Sequence, residues 1–208
     1  MGRIYTIGYS PHTPDSFVRV LGTHGITAIA DVRSNPYSKY KLEFNREVIS
    51  ATLAEAGIEY VFLGDQCGAR PEDRSCYVDG VVCYERLAKL PGFQRGLQRL
   101  HEGMRRHRIA LMCAEKDPIT CHRMILIARQ FSQLDEVDVV HILEEGECEP
   151  NSHAEQRLLR FSDLDAEELP GLGRSYEQRL AEAYQRQARL IAYHERNNEE
   201  AAVETRHG

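Results

Sequence analysis

The chain has 208 residues, which is the size of one large domain or of one domain with an extension. Hydrophobic residues make up 42% of the chain, which excludes a wholly disordered protein, and no apolar run approaches the roughly 20 residues of a membrane-spanning helix. The formal charge of −6 argues against non-specific binding to duplex DNA, although it is compatible with a local basic cleft.

Strand-forming and helix-forming segments alternate along the first two thirds of the chain. Short segments rich in β-branched and aromatic residues predict buried strands at 3–9, 26–32, 58–64, 108–113 and 137–143. Helices are predicted between them, beginning at Thr13-Pro14 and Asn45, within 84–107, and along the apolar face of Met124, Ile127, Ala128 and Phe131. This alternation is typical of an α/β fold, so we expect a mostly parallel five-stranded sheet with helices on both faces.

The alternation stops after residue 144, which divides the chain into two predicted parts. Residues 1–145 form the α/β domain, and residues 146–208 form a helical extension with a frayed tail from Asn197. Within the extension, "SYEQ" at 175–178 has the form of a capping box and opens the last helix. We expect this helix to serve as a packing arm or as the contact of a homo-oligomer.

Reactive and charged side chains collect at or shortly after the ends of the predicted strands. They are Asp31, Arg33, Arg70, Cys113, Glu115 and His141. None of these residues is needed for the hydrophobic periodicity of the core. Because the carboxyl ends of parallel strands lie at one edge of a sheet, where ligands bind in α/β folds, we expect a single site there.

The segment "CAEKDPITCHR" (113–123) combines two thiols, an imidazole and a guanidinium at the junction of the fourth strand and the next helix. That helix is expected to begin at Asp117-Pro118 or at Thr120, which places Cys121-His122-Arg123 in or near its first turn. Free N–H groups and the helix dipole favour anions at that position and lower the pKa of a thiol. The segment therefore predicts an anion pocket with one or two candidate nucleophiles.

Four short motifs carry a resemblance to a known family. The segments "TIGYS", "DVRSNPYS", "LGDQCGARP" and above all "CAEKDPITCHR" resemble the domain of unknown function 488 family, over about residues 3–145. The resemblance implies a single α/β domain without a settled biochemical activity. Members more often have Leu-Gly-Gly-Arg-Pro where this chain has Cys67-Gly68-Ala69-Arg70-Pro71, and this departure weakens any role for Cys67.

The function that the sequence favours is that of a cytoplasmic, cysteine-assisted hydrolase or group transferase. Its substrate carries a phosphate, as in a nucleotide or a nucleic-acid end. Cys121 is the first choice as nucleophile and Cys113 the second, with His122 as base or proton shuttle and Glu115 as a group that orients or exchanges protons. The residues expected to bind the substrate are Arg123, Arg33, Arg70, Asp31, Tyr37 and Ser38. No cofactor and no membrane partner are predicted, and the six cysteines are expected to stay mostly reduced.

Two other functions stay open at this point. A binding module would use the same pocket to recognise a nucleotide or a nucleic acid without chemistry. A metal-dependent enzyme would use Cys113, Cys121, His122 and His141 as soft ligands of a divalent metal, although their spacing matches none of the standard zinc patterns.

Structural roles compete with functional ones for several of these residues. Cys113 can equally be a core residue at the end of a buried strand. Asp31 and Arg33 can form an ion pair instead of contacting a ligand. His141 lies in an apolar strand, where a histidine is more often a hydrogen-bonded core residue than a ligand, and Asp117 is best suited to capping a helix.

Overall fold

The computed structural model describes residues 2–134, 136–166 and 173–195. Its strands are β1 (Gly2–Gly8), β2 (Ala28–Asp31), β3 (Glu59–Phe62), β4 (Tyr77–Val78), β5 (Val81–Val82), β6 (Ile109–Cys113), β7 (Val137–Ile142) and β8 (Cys148–Pro150). Its α-helices are α1 (Pro14–Thr23), α2 (Arg46–Glu55), α3 (Gly64–Cys67), α4 (Tyr84–Leu87), α5 (Pro91–Gly103), α6 (Arg129–Ser132), α7 (Asn151–Phe161) and α8 (Tyr176–Ile191). A π-helix over Arg123–Ala128 runs directly into α6.

Six strands form one sheet in the order β3-β2-β6-β1-β7-β8. The first five of these are parallel to their neighbours, and β8 is antiparallel to β7. The prediction of a mostly parallel α/β sheet is confirmed, and all five predicted strands are present. The sixth strand, β8, lies in a segment that the sequence predicts to be a loop. A tight turn at Gly146 (φ 94°) returns the chain along the edge of β7 and makes this pairing possible.

Helices cover both faces of the sheet, as predicted. On one face, α1 and α2 bury Phe17, Leu21, Ile49 and Leu53 in a single hydrophobic cluster. On the other face, α5, the helix after β6, α7 and α8 share a larger cluster. Burial of side chains of this size contributes roughly 1.5–3 kcal/mol each to folding. No helix within the described ranges combines the length and the hydrophobicity that a membrane crossing requires.

The chain after residue 145 packs into the same core as the preceding domain. The side chain of Gln187 on α8 is buried and donates a hydrogen bond to the carbonyl oxygen of Ile119 at 2.7 Å. The capping box predicted at 175–178 is present. The frayed tail predicted from Asn197 lies outside the described residues, and an oligomer through α8 stays a prediction.

The segment between β6 and the next helix follows a path that hydrophobic periodicity does not predict. Asp117 caps a 3-10 turn over Pro118–Thr120 by accepting a hydrogen bond from the amide of Ile119. The chain is then extended at Cys121 (φ −130°, ψ 142°) before the π-helix begins. The long helix therefore begins after Cys121 and not at either of the two starts that the sequence suggests, because the 3-10 turn is too short to continue into it.

Candidate active site

The carboxyl ends of β2 and β6 border a cavity of about 620 Å³. These strands are paired in parallel, with Asp31 opposite Met112, so the residues that follow them lie at the same edge of the sheet. The cavity is also lined by residues of the loop 34–40 and by residues 191–194, at and after the end of α8. It lies at the edge where the sequence predicts a site.

Four side chains from the segment after β6 converge at one wall of this cavity: Cys113, Glu115, Cys121 and His122, referred to below as the thiol group. Their sulfur, carboxylate oxygen and ring nitrogen atoms all lie within 4.8 Å of one another. Each sulfur is 3.0 Å from Glu115 Oε2. His122 Nδ1 is 3.6 Å from Cys113 Sγ and 3.9 Å from Cys121 Sγ. Three of the four residues line the cavity, whereas Cys121, which is 1% exposed, does not.

Backbone contacts hold the loop 113–116 against the end of β1. The amides of Tyr9 and Ser10 donate hydrogen bonds to carbonyl groups of this loop at 3.0 and 3.1 Å. Gly8 makes the close approach possible, since a Cβ atom on it would lie 1.9 Å from the carbonyl oxygen of Glu115. The "TIGYS" motif therefore positions the thiol group.

Cys121 lies in extended backbone directly before the first turn of the next helix. Its carbonyl oxygen accepts a hydrogen bond from the amide of Ile125 at 3.1 Å, and its sulfur lies 3.4 Å from the amide nitrogen of Arg123. N–H groups and the helix dipole favour negative charge at this position. Burial opposes that charge, but the hydrogen bond with Cys113 and the charges of Arg123 and His122 outweigh burial, so the pKa of Cys121 lies well below its ordinary value.

The pKa values of the other three members of the thiol group are raised. The hydrogen bond with Cys121, together with burial, raises the pKa of Cys113 well above its ordinary value. Burial raises the pKa of Glu115, and the charge of Cys121 adds to this effect. Burial alone would lower the pKa of His122, but its contacts with Cys121 raise it above its ordinary value. Negative charge in the group is therefore favoured on Cys121.

One backbone contact orients the imidazole of His122. Its Nε2 atom lies 3.0 Å from the carbonyl oxygen of Val32. Because a carbonyl oxygen only accepts hydrogen bonds, Nε2 carries the proton in this contact. In the neutral ring, Nδ1 then directs its lone pair towards both sulfurs. The end of β2 thus orients a base that serves thiols on the neighbouring segment.

Arg123 is a buried structural residue and does not line the cavity. Its terminal nitrogens donate hydrogen bonds to the carbonyl oxygens of Glu115 and Lys116, and its Nε donates to Thr6 Oγ1 at 3.3 Å. The sequence predicts that Arg123 holds an anionic substrate, but these contacts turn its donors away from the cavity. Its positive charge acts on the thiol group without direct contact to a ligand.

Asp31 and Arg33 form a buried ion pair, with Arg33 Nη2 2.6 Å from Asp31 Oδ2. The hydroxyl of Tyr60 donates to the same carboxylate oxygen at 2.6 Å, and Arg33 Nη1 donates to the carbonyl oxygen of Phe44 at 2.9 Å. Of the two roles that the sequence leaves open, the structure shows the ion pair. Arg33 also lines the cavity, where its guanidinium lies 4.9 Å from the centre of the Tyr9 ring.

The remaining predicted substrate-binding residues, Arg70, Tyr37 and Ser38, all line the cavity. The guanidinium of Arg70 lies over the ring of Tyr193, 4.7 Å from its centre. Lys39, directly after the two predicted loop residues, also lines the cavity. Exposed cationic side chains are therefore grouped at its rim.

His141 does not join the thiol group. It is fully buried, with Nδ1 2.9 Å from Thr6 Oγ1 and Nε2 3.1 Å from Asn151 Oδ1. Burial lowers the pKa of His141 to about 4. His141 is therefore a hydrogen-bonded core residue and not a member of the predicted set of metal ligands. Glu115 lies with Cys113, Cys121 and His122 instead.

Two other segments contribute side chains to the cavity wall, and no pattern in the sequence assigns them to the site. Tyr84 is 6% exposed, and its hydroxyl has no hydrogen-bond partner among the described residues. Tyr193 and His194 reach the cavity because the chain after α8 runs beside β5, where the amide of Val82 donates to the carbonyl oxygen of Tyr193 at 3.0 Å. The C-terminal extension therefore forms part of the wall, although the sequence suggests only packing or an oligomer contact for it.

Comparison with known families agrees with the motifs that border this cavity. The family described as "Domain of unknown function DUF488" matches residues 13–130. The chain belongs to this family. The DUF488 match includes the ends of β2 and β6 and the whole thiol group. No curated protein and no solved structure matches the chain. Since the description of the DUF488 family names no activity, the function is argued from the site.

Proposed function

We propose that the protein is a thiol-dependent hydrolase or group transferase that acts on a small phosphate-bearing substrate, such as a nucleotide or a nucleic-acid end. The observation that carries this proposal is the thiol group, in which two sulfurs, a carboxylate and an imidazole meet at the wall of a cavity. The proposal includes a cytoplasmic location, in which the thiols stay reduced.

Cys113 is the nucleophile in this proposal, and Cys121 is a positioning residue. The sequence and the lower pKa of Cys121 favour Cys121, but a substrate in the cavity can reach only Cys113, because Cys113 lines the cavity and Cys121 does not. Cys113 Sγ lies 3.6 Å from His122 Nδ1, and the carbonyl of Val32 holds the opposite side of that ring. A nucleophile, a base and a group that orients the base are the parts that thiol catalysis requires. Cys121 adds a second sulfur 3.0 Å from the shared oxygen of Glu115.

The proposed reaction has two steps. In the first, Cys113 Sγ forms a bond to the phosphorus or acyl carbon as the bond to the leaving oxygen breaks, the thiol proton passes to His122, and Glu115 gives a proton to the leaving group. In the second, water attacks the adduct and returns one proton to Glu115, while the sulfur of Cys113 takes its proton back from His122. A hydroxyl-bearing acceptor in place of water makes the same centre a transferase.

The side chains around the cavity favour an anionic substrate with an aromatic base. Arg33, Lys39 and Arg70 line the cavity, and Glu115 is the one carboxylate among the lining residues that the structure describes. Asp31 offsets the charge of Arg33, so Lys39 and Arg70 supply most of the attraction for a phosphate. The exposed tyrosine rings on the same rim offer faces on which a base can stack.

The test compares three cysteine variants on a panel of phosphate esters that includes nucleotides. We expect Cys113→Ser to reduce turnover by on the order of 10⁶-fold, as loss of a nucleophile does, with a native circular dichroism spectrum. Cys121→Ser should slow turnover less, and Cys148→Ser, at an exposed position outside the site, should leave it unchanged. Peptide mapping after iodoacetamide treatment should find Cys113 labelled, and inorganic phosphate should slow this labelling.

The results separate the functions that the sequence leaves open. Turnover that survives Cys113→Ser but not Cys121→Ser would reverse the roles of the two thiols. Nucleotide binding without turnover of any ester would favour the binding module. Turnover unchanged in both variants would remove the thiols from the mechanism.

A further inference from the structure

We propose that the thiol group is also a binding site for a soft divalent cation, with Cys113, Glu115, Cys121 and His122 as ligands. This inference does not rest on the proposed function, because occupancy by a metal is measured without a substrate. Its consequence for the reaction does rest on that function: a sulfur bound to a metal is no longer free to attack, so the cation-bound protein is the form in which the proposed thiol reaction is switched off.

The distances within the thiol group are close to those of a tetrahedral site. Zinc bonds of about 2.3 Å to sulfur and about 2.0–2.1 Å to nitrogen place sulfur and nitrogen ligands about 3.6 Å apart. His122 Nδ1 lies 3.6 and 3.9 Å from the sulfurs of Cys113 and Cys121. The sulfurs lie 3.0 Å from the oxygen of Glu115, so this carboxylate has to move outward by about half an ångström.

Two of the four donor atoms, those of His122 and Cys121, are held in the states that a metal requires. The contact from His122 Nε2 to the carbonyl of Val32 leaves Nδ1 as the ligand atom, and a metal-bound histidine usually donates its other ring N–H in this way. The sulfur of Cys121 lies 3.4 Å from the amide nitrogen of Arg123, a contact that stabilises a thiolate. Two thiols, an imidazole and a carboxylate are ligands that zinc accepts.

The positive charge of a neighbouring residue balances the negative charge of an occupied site. Two thiolates and one carboxylate around a divalent ion leave one net negative charge. Arg123 is fully buried beside them, and the hydrogen bonds of its guanidinium go to neutral acceptors. A buried cation is unfavourable unless an opposite charge lies nearby, and the occupied site supplies that charge.

Tyr84 gives an independent indication that this wall of the cavity takes a ligand. Its hydroxyl is buried, lines the cavity, and has no hydrogen-bond partner within the described part of the chain. Burial raises the pKa of Tyr84, and the charges of Cys121, Cys113 and Glu115 are close enough to add to this effect. A buried hydroxyl normally has a partner, and the structure describes none for Tyr84, so this part of the cavity wall has a free hydrogen-bonding group that a bound ligand can satisfy.

The experiment uses the purified full chain, stripped with a chelator and titrated with Co²⁺ and Zn²⁺. We expect one equivalent of Co²⁺ to bind with the absorption of a tetrahedral ion and a sulfur-to-metal charge-transfer band, and Zn²⁺ to displace it. Cys113→Ser, Cys121→Ser and His122→Gln should each weaken binding by more than about 100-fold, which exceeds the cost of losing a second-shell group. Cys83→Ser, a matched control at a partly exposed cysteine, should bind as the wild type does.

Each outcome bears on the two proposals separately. Absence of a charge-transfer band at saturating Co²⁺, or equal binding by a Cys113→Ser/Cys121→Ser double variant, would overturn the metal site and leave the thiol enzyme untouched. Should the ligand variants fail to fold, protection of both thiols of the wild type from iodoacetamide by one equivalent of Zn²⁺ supports the site, and unchanged labelling opposes it. Turnover that requires the metal would keep the site but overturn Cys113 as nucleophile.

Discussion

Two polar clusters lie side by side in this fold, each built around a buried histidine, and they differ in how completely their hydrogen bonds are satisfied. One is the thiol group with His122, which opens on the cavity. The other contains His141 and is closed to solvent. Arg123 touches both, because it contacts the loop that carries the thiol group and also Thr6, which pairs with His141.

In the closed cluster, the hydrogen bonds form one continuous chain in which each group donates to the next. Arg123 Nε donates to Thr6 Oγ1, whose hydroxyl donates to His141 Nδ1 at 2.9 Å. His141 Nε2 donates to Asn151 Oδ1, and the amide nitrogen of Asn151 donates to a carboxylate oxygen of Glu155 at 2.9 Å. A fully connected network of this kind fixes the packing of α7 on the sheet and has no capacity left for a ligand.

The thiol group lacks this closure. Two sulfurs share one oxygen of Glu115, and the nearby hydroxyl of Tyr84 has no partner among the residues that the structure describes. The comparison teaches that a buried histidine is not by itself a functional signal. What separates the two clusters is whether hydrogen-bonding capacity remains beside a cavity.

The largest loss of stability should come from a substitution of Arg123, the residue that contacts both clusters. Arg123→Leu removes three hydrogen bonds of a fully buried guanidinium and the charge beside the thiol group, so we expect the free energy of unfolding to fall by about 3–5 kcal/mol. Urea denaturation followed by circular dichroism measures this. Arg160→Leu, at an exposed arginine, should change stability by less than about 0.5 kcal/mol. Similar losses in the two variants would contradict the central position of Arg123.

The closed cluster should also make stability depend on pH through His141. Burial lowers its pKa to about 4 in the folded protein; the hydrogen bond with Asn151 and the charge of Asp117 oppose this effect, and the charges of Arg123 and Arg157 add to it. The unfolded chain takes up this proton near pH 6.5. Between these values only the unfolded state is protonated, so the free energy of unfolding falls as the pH drops from 6.5 to 4, by up to about 3 kcal/mol.

Urea denaturation at a series of pH values checks this dependence against two variants. His141→Gln does not titrate, so its stability should fall less over the same interval than that of the wild type. His153→Gln, at an exposed histidine, should keep the slope of the wild type. A wild-type slope in His141→Gln would show that other groups cause the acid sensitivity.

The smallest effects on stability are expected from removing two tyrosine hydroxyls, one beside each cluster. Tyr184 OH donates to Glu155 at 3.0 Å beside the closed cluster, so Tyr184→Phe should lower the free energy of unfolding by about 1 kcal/mol. Tyr84→Phe removes a hydroxyl without a described partner and should leave stability unchanged or raise it by up to about 1 kcal/mol. Equal losses in the two variants would mean that both hydroxyls are satisfied.

The sequence predicts the edge of the sheet at which the site lies better than it predicts which residues belong to the site. Cys113, Glu115, Cys121 and His122 fall within one short segment after a strand, so their proximity follows from local chain connectivity. Which thiol reaches the cavity does not, because it depends on the 3-10 turn over Pro118–Thr120 and the extended residue after it. Hydrophobic periodicity carries no information about such a turn.

The sequence by itself determined the five parallel strands, the helices on both faces and the edge of the sheet at which polar residues collect. These features depend on local periodicity, on caps and on the direction of parallel strands, which neighbouring residues specify. Only the tertiary structure decided that Arg123 faces inward, that His141 belongs to a closed network, and that Tyr84 and Tyr193 reach the cavity. Those placements depend on contacts between segments far apart in the chain, and such contacts have no fixed spacing in a sequence.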